Sequence, residues 1–259
     1  MGEPGEVRNP FDSDPAARRY ASARLYYHRS ALDLARDQQE IGPAGLALDV
    51  GCGTGLSTRA VSELAEHVVA FDASAAMLRA AARHARVGYL VAVAERIPLA
   101  DGVADLATVG AALHWFDQPS ALAELARVMR GGAVLVVYSD YFHGRLGGQP
   151  GFATWVNESY SPRYPSPLRY SQFDPETAQA AGFGRVRSGE REYAVPLTQA
   201  ALADYLISQS NAEAAIASGQ VSAEELRGRI ITETAGFFSP EATAEVMFGM
   251  RVWTAVRRA

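Results

Sequence analysis

The sequence predicts an α/β fold: a doubly wound, mostly parallel sheet with helices on both faces. Two observations carry that expectation. Between Leu46 and Ser139, short apolar runs alternate with amphipathic stretches of helical length. The runs are continuously apolar rather than alternating, as expected for a parallel sheet covered on both sides. A third observation is the turn "GCGTG", which follows the first apolar run directly and opens a helix.

The elements follow in order. Residues 15–40 read as one helix, with Tyr20, Ala23, Tyr27, Leu32 and Leu34 near helical spacing, broken by "IGPAG". "LALDV" is the first strand, and a helix runs from Leu56 to about Glu66. "VVAFD" is the second strand, and "SAAMLRAAARHA" a helix with Ser74 as N-cap. "YLVAVAE" and "ADLATVG" are the third and fourth strands. "PSALAELARVMR" is a helix stopped by Gly131 and Gly132, and "AVLVVYS" is the fifth strand. Residues 143–173, rich in Gly, Pro and Tyr, read as a long connection. "DPETAQAAGF" is a helix, "EREYAVP" a strand, residues 198–235 mainly helical, and "AEVMFGMRVWTAVRR" a closing strand. Two strands bracketing a helical insertion suggest a cap over the sheet's carboxyl edge.

Composition bounds the function. The chain has 259 residues, 48% of them hydrophobic, enough for a sizeable buried core. Its formal net charge is −5, with arginines scattered, which argues against a nucleic-acid partner. No apolar run reaches membrane-spanning length, and "MGEPGEVRNP" lacks the apolar centre of a signal peptide. The expectation is a cytoplasmic protein, monomer or homodimer, acting on a small molecule, with no nucleic acid and no membrane. Cys52 is the single cysteine, which excludes an internal disulfide and a cysteine-based zinc site. Asp140 and His143 alone are too few to hold a metal, and none is expected.

The glycine turn narrows the ligand. In open parallel sheets, ligands bind beyond the carboxyl ends of the strands, and glycines let the backbone approach them. Gly51, Gly53 and Gly55 all follow strand one, but the sixth position of a dinucleotide fingerprint is Leu56, and no Gly-Lys-Ser/Thr is present. Asp49 beside the turn disfavours phosphate and favours a cation. Asp72, ending the second strand, has the spacing of an acid that accepts hydrogen bonds from ribose hydroxyls. Ribose and positive charge without a phosphate grip describe S-adenosylmethionine.

"LDVGCGTG", "VVAFDASAAML", "AERIPLADGVADLATVGAALHWFD" and "LARVMRGGAVLVV" together resemble the class I S-adenosylmethionine-dependent methyltransferases. Within that class the likeness is to the small-molecule branch that includes the trans-aconitate methyltransferases. "YASARLYY" is similar to that branch's Y-x-x-x-R-P-x-Y segment at Tyr20, Arg24 and Tyr27, with Leu25 in place of proline. The resemblance implies a Rossmann-like seven-stranded sheet in three parts. Residues 1–45 would be an N-terminal helical lid, 46–142 the cofactor-binding core, and 143–259 the completion of the sheet with a substrate cap at about 198–235.

It further implies that Gly51, Cys52, Gly53 and Gly55 pass under the methionine part of the cofactor while Asp49 orients its ammonium side. Asp72 would hold the ribose, with Ala73 and Met77 near the adenine and Ala94 and Glu95 at its edge. Where many relatives carry an acid one or two positions earlier, this chain has Val93 and Ala92. Ala111 and His114 would stand near the sulfonium, and Tyr20, Arg24 and Tyr27 would close over the cofactor.

Methyl transfer is an in-line displacement that needs alignment and exclusion of water. His114 is the candidate base for an acceptor that loses a proton, and "HWF" is equally readable as an aromatic wall. Trp115 or Tyr20 could favour the sulfonium through its positive charge. Trp115, His143 and Tyr27 are candidate substrate contacts, and Tyr160, Tyr164, Tyr170, Arg163 and Arg169 candidate pocket residues. The Asn/Asp-Pro-Pro-Tyr/Phe segment of nucleic-acid amino methylation is replaced here by "GAALHW". Two reactions remain open on the same cofactor. One is methyl transfer to a carboxylate or hydroxyl, releasing S-adenosylhomocysteine. The other is self-cyclisation, releasing methylthioadenosine and azetidine-2-carboxylate. Cofactor binding without catalysis is a third reading.

Overall fold

The computed structural model describes residues 9–167, 172–239 and 242–259. Among them run α1 (Asp14–Ala23), α2 (His28–Gln38), β1 (Ala44–Val50), α3 (Leu56–Val61), β2 (Ala65–Asp72), α4 (Ala75–Arg79), β3 (Val87–Val91) and β4 (Ala104–Gly110). There follow α5 (Gln118–Val128), β5 (Met129–Leu146), α6 (Pro150–Trp155), α7 (Ser161–Arg163), α8 (Pro175–Ala180) and β6 (Phe183–Thr198). The chain ends with α9 (Gln199–Ile207), α10 (Ser210–Ala217), α11 (Ala223–Thr234) and β7 (Thr243–Arg257). The strands form one seven-stranded sheet in the order β3-β2-β1-β4-β5-β7-β6. β1 pairs in parallel with β2 and β4, and β2 with β3 and β4 with β5 likewise. The predicted α/β sheet is therefore present, and its order reverses beside β1, where such sheets bind ligands.

The chain divides into two compact units. The larger comprises residues 26–140, 169–191 and 250–259. Its core gathers strand residues such as Leu48, Val50, Phe71 and Leu135 with Leu122 and Leu125 of α5. The smaller comprises residues 1–25, 141–168 and 192–249, with a separate core of Phe152, Tyr205, Leu206, Leu226 and Phe248.

Several element boundaries differ from the sequence expectation, each for a physical reason. Residues 15–40 are two helices, because Arg24 leaves the helical region (ψ 138°) and α2 begins only at His28. The helix after the glycine turn stops at Val61, not Glu66, because β2 pairs with β1 from Ala65 onward. The helix capped by Ser74 ends at Arg79, although the cap itself forms, Met77 N–H donating to Ser74 Oγ at 3.3 Å. β3 ends at Val91, short of the predicted Glu95.

Gly131 and Gly132 do not stop α5, which ends at Val128 with β5 starting immediately. The glycines sit where the β4–β5 register shifts, Ala104 facing Met129 but Leu106 facing Val134, a bulge that a left-handed Gly132 (φ 86°) accommodates. Of residues 143–173, those up to Arg163 are not a loose connection. β5 continues to Leu146, and α6 leads through a π-helical turn (Val156–Tyr160) into α7.

Candidate functional site

The site candidates of the larger unit lie where β1, β2 and β4 end. Gly51, Gly53 and Gly55 take φ of 66°, 54° and 80°, values that glycine reaches without the strain a Cβ brings. The turn is also too close to its neighbours for side chains. A Cβ on Gly51 would lie 2.5 Å from the Ala112 Cβ, and one on Gly55 would lie 2.8 Å from the Tyr89 hydroxyl. Gly51 and Cys52 N–H both donate to the Phe71 carbonyl, binding the turn to β2. Within the turn, the Thr54 hydroxyl is buried without a hydrogen-bond partner.

Asp72 is tied to the same turn. Its Oδ2 accepts from Gly53 N–H and its Oδ1 from Ser74 N–H, both at 2.8 Å. The side chain stays partly exposed.

Asp49 behaves differently from its expected role. Its carboxylate is 0% exposed. It accepts from the Ser57 and Thr58 hydroxyls at 2.6 Å each and from Thr108 Oγ1 at 3.0 Å. Burial pushes its pKa up against the opposing pull of those three donors. It therefore braces the start of α3 against β4 and offers no exposed oxygen to an ammonium group. The hydroxyl-rich stretch "LSTRA" after the turn was the available signal for this.

Other assignments shift similarly. Cys52 is buried, and burial with the nearby Asp49 and Asp72 carboxylates drives its thiol pKa well above the ordinary range, so it is a neutral packing group. Ala94 is buried in the core of the larger unit. Glu95 spends Oε1 on the Asp117 N–H (2.8 Å), at the entry to α5. Ala73 is exposed, and Met77 is buried under Gly53, with its Cε 3.1 Å from where a Cβ there would stand.

Beyond β4, Ala111 adopts φ 52°, left-handed for a residue with a Cβ, and its N–H donates to the Tyr138 carbonyl at 2.7 Å. Strain of this kind costs on the order of 1–3 kcal/mol and concentrates at functional positions. It delivers the chain into a short 3-10 turn, Leu113–Trp115, where His114 and Trp115 are half-buried, their rings 5.1 Å apart. Beside it lies a cluster that the sequence reading missed. The buried His28 has Nδ1 3.1 Å from the hydroxyl of the fully buried Tyr138, and Tyr27 stacks on His28 at 4.5 Å. Gly110 faces Tyr138 across β4 and β5, and a Cβ there would come within 2.8 Å of that ring. No local pattern announces a pair 110 residues apart.

The three N-terminal candidates do not share one helix. Tyr27 belongs to the larger unit, whereas Tyr20 and Arg24 belong to the smaller. There the Arg24 guanidinium lies over two rings, 4.8 Å from the Tyr20 centroid and 5.6 Å from that of Tyr205. His143 is also in the smaller unit, within β5 rather than past its end, 3.2 Å from Glu192 and edge-on to Tyr141.

Tyr160 and Tyr164 are buried core residues, and Arg163 pairs with Glu233. Arg169 and Tyr170 lie outside the described residues. Among the described residues no cluster of metal-ligating side chains occurs, and no helix is long and apolar enough to cross a membrane.

The methyltransferase-domain family matches residues 48–137, the stretch holding the glycine turn, Asp72 and His114. A malonyl-[acyl-carrier protein] O-methyltransferase of Pectobacterium atrosepticum is 42% identical over 90 residues, covering 34% of this chain and 36% of that protein. A demethylmenaquinone methyltransferase of Mycolicibacterium paratuberculosis is 37% identical over 142 residues, covering 52% and 59%. The chain thus spans less than two thirds of the length of these relatives. Among solved structures, a candidate type II methyltransferase of Anaeromyxobacter dehalogenans superposes with a TM-score of 0.64 at 28% identity, covering 90% of this chain and 97% of that one. Residues 48–137, which hold the left-handed turn after β1, thus match a methyltransferase domain, on a sheet like that of a solved candidate methyltransferase.

Proposed function

We propose that the protein transfers the methyl group of S-adenosylmethionine to a carboxylate or hydroxyl of a small metabolite. The observation that carries the reading is the coupling of the glycine turn to Asp72 through the Gly53 N–H. One short loop thereby sets both a backbone cradle and a ribose acceptor. The residues fit the cofactor: the cradle is one that any Cβ would fill, and a partnerless Thr54 hydroxyl lies within it. The bound cofactor supplies an electrophilic methyl group. The chain supplies the rest. Gly51, Gly53 and Gly55 admit the methionine portion, Asp72 accepts from the ribose hydroxyls, and Ala73 and Met77 flank the base. Ala111 and His114 border the reacting end.

His114 is the proposed proton acceptor, on a rigid turn set by Ala111, and Trp115 is the aromatic wall beside it. Tyr27 is held by the His28–Tyr138 pair as a substrate-facing group. No phosphate-binding lysine or basic patch accompanies the turn, which favours a small acceptor over a nucleic acid.

The test incubates the protein with S-adenosylmethionine, with and without candidate acids and alcohols, and identifies the adenosyl product. S-adenosylhomocysteine appearing only with an acceptor supports the proposal. Methylthioadenosine formed without acceptor would replace it by self-cyclisation, and tight binding with neither product would leave a binding protein. In parallel, Asp72→Ala should weaken cofactor binding by about 1–3 kcal/mol in calorimetry through lost charge-assisted hydrogen bonds. Unchanged affinity would remove Asp72 from the site.

A further inference from the structure

Tyr138 lies on β5 with 1% of its surface exposed, and three parts of it hold three different things. Its carbonyl accepts the N–H of Ala111, the residue whose left-handed φ leads into the turn carrying His114 and Trp115. Its ring lies against the backbone of Gly110, where a Cβ would stand 2.8 Å from both the ring Cζ and the hydroxyl oxygen. Its hydroxyl is hydrogen-bonded to His28 Nδ1 at 3.1 Å, and its ring meets His28 and Tyr27 edge-on, at 5.7 and 6.0 Å.

Packing alone would need only the ring, which phenylalanine also supplies, and the carbonyl belongs to any residue. What tyrosine adds is the hydroxyl, spent on a buried histidine at the first position of α2, 110 residues away in sequence. Buried polar groups are costly unless partnered, and once partnered they fix one arrangement of the elements they join. The pair thus sets the ring against Gly110, and the same residue sets the path of the chain through Ala111. Left-handed backbone at a residue with a Cβ persists only where its surroundings over-determine it.

We propose that Tyr138 is a positioning residue for the transfer step: through His28 it locks the segment bearing Tyr27 and the turn bearing His114 into one frame. The proposal rests on the reading above, in which Tyr27 faces the substrate and His114 borders the reacting end. The hydroxyl acts through the groups on either side of it. The glycine turn and Asp72, which carry cofactor binding in that reading, follow β1 and end β2 and take no part in the frame. In-line transfer depends on such placement, since a shift of about 1 Å made far from the chemistry can cost on the order of a hundredfold in rate.

Three variants of the full chain test this: Tyr138→Phe, His28→Leu and His28→Asn, the last keeping a hydrogen-bonding group near the place of Nδ1. Carbon–proton spectra of the five histidine rings, with His114 assigned by its loss in His114→Gln, read the frame without any ligand. The His114 signal should shift or broaden in Tyr138→Phe and His28→Leu, and return toward its wild-type position in His28→Asn. With S-adenosylmethionine and an acceptor identified by the product test, the first two variants should lose about ten- to a hundredfold in kcat. Their affinity for S-adenosylhomocysteine in calorimetry should stay within about threefold of wild type. A His114 signal unmoved in both variants overturns the proposal, as does a fall in stability with kcat unchanged, the mark of a packing role. If the wild-type chain fails to bind S-adenosylhomocysteine, the cofactor reading falls and the proposal with it, whereas failure of the spectra alone leaves that reading standing.

Discussion

The two units are held together by different means. In the larger, apolar strands and helices pack around Leu48, Phe71, Leu122 and Leu135, and its polar contacts, such as Asp105 with Arg130 and with the Gly45 and Leu46 N–H groups, lie at the margins of that core. In the smaller, an aromatic core is laced by long-range polar contacts. Arg19 makes a two-pronged contact with the buried Glu213, at 2.8 and 2.7 Å. Trp155 Nε1 and Arg163 both donate to Glu233, and Arg229 donates to the Tyr164 hydroxyl. A sheet of parallel strands announces itself through hydrophobic period. A helical assembly held by such pairs depends on complementarity between residues far apart in sequence, and local pattern does not record it. The core of the larger unit tolerates volume-conserving change; the smaller should fail at single charges.

The sharpest way to break this contrast is to place methyl groups on glycines of each unit. Gly51→Ala adds a Cβ at 2.5 Å from Ala112 while keeping a left-handed φ, and should cost about 2–5 kcal/mol from strain plus overpacking. Gly148→Ala, in the smaller unit at φ 71° but with open space around it, should cost only about 1–2 kcal/mol. Urea unfolding of both variants measures the difference; equal costs would mean the turn is less confined than its geometry states.

Next in size is Glu213→Gln. The carboxylate is 1% exposed and Arg19 only partly so, and removing the charge leaves a guanidinium with a poorer partner. A loss of about 2–3 kcal/mol is expected, read as a fall in thermal midpoint. No change would show that apolar packing alone holds the smaller unit.

The smallest effect concerns Asp49 and is a slope. Because burial raises its folded pKa, the native state holds its proton more tightly than the unfolded chain does. Stability therefore falls as pH rises from the ordinary carboxylate value toward the raised one, and does not recover above it. Asp49→Asn should flatten that segment of the stability–pH curve, measured by urea midpoints across the acidic range. Persistence of the slope would assign it to another group.

The sequence showed the larger unit's strands well because each is a continuous apolar run, and it put Gly51, Gly53 and Gly55 in the turn after β1 and Asp72 at the end of β2, where they lie. It misjudged helix ends, since strand pairing at Ala65 and Met129 overrode helical pattern. It also misjudged Asp49, whose three hydroxyl donors come from α3 and β4, and the second of these is 59 residues away. In the smaller unit, "SYSPRYPSPLRYS" was read as loop from its prolines and tyrosines. The rings of Tyr160 and Tyr164 are instead buried, and prolines occupy first-turn positions of α6 and α7, where a missing N–H costs nothing.

The bond from Gly53 to Asp72 joins residues nineteen positions apart. The acid is fastened before any guest arrives, so capture demands little rearrangement of the host. Because the donor is a backbone N–H, the bond answers to the acid alone: losing the Asp72 carboxylate loosens the turn as well as the acceptor, so substitutions at the two positions should be non-additive.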